Sequence, residues 1–226
     1  MKVIISGYGK MGHMIEQVLL SRGIEVAECS EDICSVPKEL AKQCVCIDFT
    51  APEAFRNNYK TLAANFKAVV VGTTGWYDIK EDVFAAFKAE GTPMIWGSNF
   101  SIGVISFFAG VARTCQILKG HGYEPHVHEI HHIHKLDAPS GTAKSIAAIV
   151  GEMLEAVPEI TSERIGEVPG IHTVELKSGV DKLTFTHEAF SRQGFAEGAV
   201  EAALMTENVT GVNEFKDLIL YGNAQS

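Results

Sequence analysis

The segment Lys2-Val3-Ile4-Ile5-Ser6-Gly7-Tyr8-Gly9-Lys10-Met11-Gly12 decides how the rest of the chain is read. A short apolar strand runs straight into a glycine loop. Met14, Ile15, Val18 and Leu19 then recur at helical spacing up to Ser21. A second strand, Ile24 to about Cys29, follows Gly23. Strand, glycine turn, helix, strand is how a dinucleotide-binding unit opens. Its glycines let backbone amides approach a pyrophosphate at a helix N-terminus. An isolated GxGxxG carries little weight; this one gains weight from lying between a strand and a helix. The acidic residue that meets the ribose, roughly 20 residues on, has candidates in Glu25, Glu28 and Glu31, and Ser30 competes for the same place. No Arg follows that strand to grip a 2′-phosphate, so NADH is compatible and the choice between NADH and NADPH stays open.

Outward from this loop the alternation continues. A short helix over Glu39–Gln43 precedes a buried strand, Cys44-Val45-Cys46-Ile47-Asp48-Phe49, and residues 53–66 are helical in pattern. Ala68–Val71 is a strand ending in Gly72-Thr73-Thr74-Gly75. After a helix over 78–90, Pro93–Trp96 is a strand ending in Gly97-Ser98-Asn99-Phe100. Strands alternating with helices predict an α/β fold with a parallel sheet covered on both faces. Each loop taken singly reads as well as a structural turn. Together, three polar glycine loops at successive strand ends face one crevice, where open α/β sheets bind ligands.

Beyond residue 101 the pattern changes. A helix over Ile102–Leu118 precedes a histidine-rich strand, a Pro-Ser-Gly-Thr turn and a helix over Ala143–Ala156. Residues 172–177 and 182–188 alternate at period two and predict antiparallel strands; Gly194–Met205 is helical again. The organisation expected is a Rossmann-like dinucleotide-binding domain, residues 1–101 with 192–226, and an α+β domain with a mixed open sheet, residues 102–191.

The balance of charge is acidic, net −9 with a pI near 5.5. That speaks against nucleic acid or an anionic membrane as partner, since both require clustered Lys and Arg. No apolar run approaches the roughly 20 residues that span a bilayer, and the N-terminus reads as a strand rather than a signal peptide. Five scattered cysteines without a CxxC pair suit reduced thiols. A cytoplasmic enzyme is expected.

The chemistry concentrates in Glu129-Ile130-His131-His132-Ile133-His134-Lys135-Leu136-Asp137-Ala138-Pro139-Ser140-Gly141-Thr142-Ala143. If Glu129–Lys135 is extended, Glu129, His131, Ile133 and Lys135 share one face and His126, His128, His132 and His134 the other, with Ile130. A histidine beside a lysine is a proton source near neutral pH. Ser140-Gly141-Thr142, at an apparent helix start, offers amides and hydroxyls to a carboxylate, or a plain N-cap, or both. A zinc site at His126, His128 and His132 is the rival reading. It lacks HExxH or paired cysteines and leaves the turn unexplained, so no metal is expected.

This run closely resembles the signature of the 4-hydroxy-tetrahydrodipicolinate reductase (dihydrodipicolinate reductase) family. The resemblance extends through Gly7–Gly12, Ile47–Thr50, Gly72–Gly75, Ser98–Val104, Arg192 and Phe195–Val200, and so covers essentially the whole chain. It implies an oxidoreductase that uses NADH or NADPH to reduce a small cyclic dicarboxylate in the diaminopimelate route to lysine. It further implies His131 as acid/base and Lys135 as proton donor to the ring. His132, Ser140, Gly141 and Thr142 would hold the substrate carboxylates. The cofactor would be held by Gly7, Tyr8, Gly9, Lys10, Met11 and Gly12, by Gly72, Thr73 and Thr74, and by Gly97, Ser98, Asn99 and Phe100. A homotetramer built through the second domain's sheet is implied too, with C-terminal helices packing back on the first. Two features depart from the family pattern: the glycine loop is one residue shorter than the commoner GxxGxxG, and the stretch between the second strand and Cys44 is contracted. A non-catalytic NAD sensor on this fold, which would have no need of His131 and Lys135, and a metal-dependent hydrolase are the alternatives.

Overall fold

The computed structural model describes residues 1–222. Its elements run β1 (Lys2–Ser6), α1 (Lys10–Ser21), β2 (Glu25–Ser30), α2 (Lys38–Ala41), β3 (Cys44–Asp48), α3 (Pro52–Asn65), β4 (Ala68–Val71), α4 (Lys80–Glu90), β5 (Met94–Trp96) and α5 (Ile102–Leu118). They continue with β6 (Glu124–His131), α6 (Gly141–Leu154), β7 (Glu159–Arg164), β8 (Gly170–Lys177), β9 (Lys182–Ala189), α7 (Gln193–Met205), β10 (Val212–Glu214) and α8 (Phe215–Tyr221). The chain divides into two compact units, residues 1–102 with 193 onward, and residues 103–192.

The first unit is built on a six-stranded sheet in the order β10-β5-β4-β3-β1-β2, with every pair parallel. Every residue of β3 and β4 is buried, which is why they read in sequence as unbroken apolar runs rather than alternations. Each fully buried Val or Ile contributes about 1.5–3 kcal/mol relative to exposure. One core joins Ile4, Cys46, Phe55, Leu62, Val69, Val71, Trp76, Val83 and Phe87. The glycine turn and the Pro-led helices start and stop the elements where expected, within a few residues. Helix α7 returns to pack on α1, β3 and β4, burying Ala196, Ala199, Val200, Ala202 and Ala203. Arg22 at the end of α1 pairs with Glu197 and Glu201 of α7.

The second unit has a four-stranded sheet, β7-β6-β8-β9, in which β6–β7 is parallel and the other two pairs are antiparallel. Helices α5 and α6 cover one face. Val111, Cys115, Ala143, Ile146, Val150 and Leu154 meet Val127, Val174 and Leu176 there. The sheet is therefore mixed and half-solvated, and the alternation in β8 and β9 reflects it. Strand β7, Glu-Ile-Thr-Ser-Glu-Arg, has no period-two signal because it is a polar edge strand.

One expectation is corrected. Glu129–Lys135 is not extended throughout: β6 stops at His131, and residues 132–140 form a loop. The Lys135 N–H turns back to the His132 carbonyl at 3.1 Å. The Arg164 guanidinium donates to the carbonyls of Lys135 (3.2 Å) and Asp137 (2.5 Å), which draws the chain out of the ladder. Period two therefore does not set the faces of Ile133, His134 and Lys135.

Candidate active site

Two sets of polar residues stand at strand ends, one in each unit. In the first, the sheet order reverses between β1 and β3, the position at which open α/β sheets bind ligands. The register aligns the loops: Phe49 N–H bonds to Ser6 O, Gly72 N–H to Asp48 O and Gly97 N–H to Val71 O, at 2.9, 2.9 and 3.1 Å. Gly7, Gly72 and Gly97 are thus each one residue beyond a strand of this sheet, β1, β4 and β5.

Gly9 is the N-cap of α1, and no side chain caps the helix. A Cβ on Gly9 would meet nothing within 4 Å, so space stands open over uncapped amides. Gly7 and Gly12 are required for a different reason. A Cβ on Gly12 would lie 2.4 Å from Gly7 O, and one on Gly7 2.6 Å from Phe49 O. This cradle fits a dinucleotide pyrophosphate.

Around the cradle the side chains are largely committed to one another. Asp48 is fully buried and accepts from Ser6 Oγ (2.7 Å), Thr73 Oγ1 (2.5 Å) and Thr50 Oγ1 (3.1 Å). Burial pushes its carboxyl up against the lowering effect of those hydroxyls. Tyr8 OH donates to Glu16 at 2.5 Å, and that hydrogen bond, helped by burial, carries the phenol up to about 12. Lys10 is exposed, Met11 half-buried and Thr74 exposed. Asn99 Oδ1 accepts from Ser101 N–H at 2.8 Å, Ser98 is exposed, and the Phe100 ring is buried against Phe215 and Phe49. Any contact Phe100 makes with a cofactor is therefore through its backbone.

In the second unit His131 is the last residue of β6, and the turn carrying His132 and Lys135 follows it. Lys135 Nζ pairs with Asp137 at 2.6 Å. That pair, with the Gly141 N–H, holds the Asp137 carboxyl below its usual range, Lys135 being the main cause. Ser140 is the N-cap of α6: its Oγ accepts from Ala143 N–H at 3.1 Å, and its own N–H donates to Glu129 at 2.9 Å. The Ala138–Pro139 bond just before it is cis. Both polar groups of Ser140 thus have internal partners, whereas Gly141 is exposed and Thr142 half-buried at the helix start.

Three residues that complete this set, of which only His172 is buried, carried no sequence signal of their own. His172 on β8 lies directly opposite Glu129 of β6 in the antiparallel register. Arg164 and Ser162 come from the unexpected strand β7, and both donate to Glu129 Oε1, at 3.2 and 2.8 Å. Burial pushes the Glu129 carboxyl up, but hydrogen bonds from Ser140, Ser162 and Arg164 outweigh it and hold the group at about 2. Burial lowers both His131 and His172, the latter to about 4, so both imidazoles are neutral at pH 7. Glu129, His131 and His172 offer ligand atoms within 4.8 Å of one another, a grouping that could also hold a metal ion. By contrast His126 and His128, of the zinc reading, are drawn to Thr161 Oγ1 at 3.2 and 2.7 Å.

The family description "Dihydrodipicolinate reductase, N-terminus" matches residues 1–100, and "Dihydrodipicolinate reductase, C-terminus" matches residues 103–219. A 4-hydroxy-tetrahydrodipicolinate reductase of Christiangramia forsetii is 36% identical over 97% of this chain and 98% of its own length. The chain belongs to the dihydrodipicolinate reductase family. A second member, from Methanoregula boonei, is 37% identical over 70% of this chain and 68% of its own length. Among solved structures, a dipicolinate-bound dihydrodipicolinate reductase from Paenisporosarcina sp. TG-14 shares the fold. Its TM-score is 0.76 at 19% identity, covering 94% of this chain and 97% of that one. An amine dehydrogenase from Mycobacterium smegmatis shares the fold at a TM-score of 0.62 with 8% identity, covering 95% of each chain. The architecture is therefore wider than the family. Within the family's C-terminal part, the structure brings His131, His132, Lys135, Ser140, Gly141 and Thr142 to one end of the second sheet.

Proposed function

We propose that the protein reduces 4-hydroxy-tetrahydrodipicolinate to tetrahydrodipicolinate with NADH or NADPH, in the diaminopimelate route to lysine. The observation that carries this reading is the end of β6. There a buried neutral histidine, a lysine and the N-terminus of α6 lie within one short loop. Gly7–Gly12, Gly72–Thr74 and Gly97–Phe100 hold the cofactor, whose reduced nicotinamide supplies a hydride when bound. The amides of Gly141 and Thr142, the Thr142 hydroxyl and His132 take the substrate carboxylates, with Ser140 fixing the helix end they rest on.

Lys135 protonates the ring carbon next to the one that gains the hydride, and His131 restores the proton to the lysine. The ring hydroxyl leaves as water, which balances one hydride and one proton gained. Asp137 holds Lys135 Nζ at the turn before substrate enters. Orientation of the reactants supplies further acceleration.

Lys135→Ala tests the assignment. Turnover of freshly prepared substrate, followed by loss of reduced-nicotinamide absorbance, falls by roughly 10²–10⁴-fold. Cofactor affinity, whose loops belong to the other unit, stays near wild type. Retention of close to full turnover would show that Lys135 is not the proton donor. The sensor alternative predicts that the wild type has no turnover under any condition.

We also propose a cytoplasmic homotetramer assembled through the second unit. Supporting it, Val157, Val180 and Phe190 of that unit are almost fully exposed in the single chain. Light scattering gives the mass directly. Among the described residues no helix is long and apolar enough to cross a membrane.

A further inference from the structure

Glu129 is a carboxylate with no solvent exposure, and its two oxygens are treated very differently. Oε1 accepts three hydrogen bonds, from Ser140 N–H, Ser162 Oγ and Arg164. Oε2 has none in good geometry, and neither has Nδ1 of His131, yet these two buried atoms stand 3.2 Å apart. Leaving a carboxylate oxygen and a ring nitrogen both unpartnered in the interior costs about 1–3 kcal/mol each, or more for the charged group. One proton between them removes both penalties.

His172 stands farther off than His131. Its Nε2 lies 3.8 Å from Oε2, but the same nitrogen faces Ser140 Oγ at 3.3 Å. Ser140 Oγ, which accepts from Ala143 N–H, engages that nitrogen, and the imidazole tautomer sets which of the two donates. Of the two imidazoles, His131 is the nearer to Glu129 Oε2.

We propose that Glu129 is the positioning residue of His131: it takes the hydrogen of Nδ1 and so fixes the neutral tautomer whose lone pair is on Nε2. Gly170 keeps that lone pair accessible. A Cβ there would stand 3.0 Å from His131 Nε2 and 3.3 Å from its Cδ2, so any larger residue would close over the working nitrogen. The proposal rests on His131 being the acid–base group of the reaction. Nε2 takes a proton from solvent and passes it to the Lys135 amine after the ammonium has given its own to the ring carbon. The imidazolium that forms in between is stabilised by the Glu129 carboxylate, which itself stays ionised. Besides Glu129, the charged or titratable groups acting on His131 are Lys135, Arg164, His132 and His172. Of the four, only the fixed guanidinium of Arg164 also bonds to Glu129.

Glu129→Gln isolates the effect. Three donors face the Oε1 position, so the amide oxygen must occupy it and the NH₂ must face His131. Nδ1 is then forced to become the acceptor and the hydrogen moves to Nε2, the wrong tautomer. Expected is a fall in kcat of roughly 10²–10⁴-fold, while KM for the dicarboxylate and the cofactor Kd change by no more than about threefold. Nitrogen-15 correlation spectra of the imidazoles show Nδ1–H for His131 in the wild type and Nε2–H in the variant. An Nε2–H tautomer in the wild type overturns the proposal without recourse to any variant. So does a folded Glu129→Gln protein with kcat within about threefold of wild type, or a stoichiometric divalent metal on the purified protein. His131→Ala separates the two levels. If it is inactive while Glu129→Gln is not, only the positioning role falls; if it is fully active, the acid–base reading falls with it.

Discussion

Acid should weaken the second unit through His172, and His172→Gln should remove most of that weakness. His172 is 6% exposed, and its folded pKa is about 4 against an ordinary 6.5. Burial is the main cause, and the neighbouring His131 adds to it against the pull of Glu129. Because the folded value is depressed, the unfolded chain binds more protons than the folded one below pH 6.5. Stability is therefore complete above the unfolded pKa and is lost as the pH falls toward 4. Between pH 7 and pH 5 the difference integrates to about 2 kcal/mol. His131, also lowered by burial, adds to the loss in the same sense. Glu129, at about 2 against 4.5, adds only below pH 4.5. Gln at position 172 keeps a hydrogen-bonding partner for the Ser140 hydroxyl and cannot titrate. Amide hydrogen exchange of β6 and β8, corrected for intrinsic rates, reads the second unit without interference from the first. The wild type should lose at least about 2 kcal/mol of protection free energy between the two pH values, and the variant about 2 kcal/mol less. Equal losses in both proteins would refute the account.

Three further outcomes are expected. Ser140→Ala removes the N-cap of α6 and leaves His172 without its hydroxyl partner; unfolding of the second unit should be easier by about 1–2 kcal/mol. Gly12→Ala places a Cβ 2.4 Å from Gly7 O, and isothermal titration should show nicotinamide cofactor affinity reduced by about tenfold or more, ~1.4 kcal/mol, with the second unit's stability unchanged. NADH should give a higher kcat/KM than NADPH, because Glu28 and Glu31 stand at the end of β2 with no Arg or Lys there to meet a 2′-phosphate; a preference for NADPH would place the adenosine ribose elsewhere.

Much of the first unit is legible in sequence because its physics is local. Strands such as Cys44–Asp48 and Ala68–Val71 are buried on both faces and announce themselves as apolar runs between glycine or proline signals. Strand β10 and helix α8 are harder: three half-buried residues have no period, and the short helix follows them at once. In the second unit the residues of the histidine segment stand out by type, but not their arrangement. Period two continues past His131 in the sequence, whereas the strand ends there because Arg164 reaches across from β7. That strand is a polar edge with nothing to mark it. His172 becomes visible only through the register that sets it opposite Glu129. Contacts between residues more than thirty positions apart leave no trace in local pattern.

The division of the first unit into residues 1–102 and 193 onward has a consequence for biosynthesis. Strand β10, which pairs with the outer edge of β5, and α7, which covers β3 and β4, are translated only after the whole second unit. While the ribosome is making residues 103–192, the nascent first half therefore has an unpaired edge strand and an uncovered apolar face. The part of the protein made first is the last to be completed, and a chain that terminates near residue 192 carries a finished second unit on an aggregation-prone fragment.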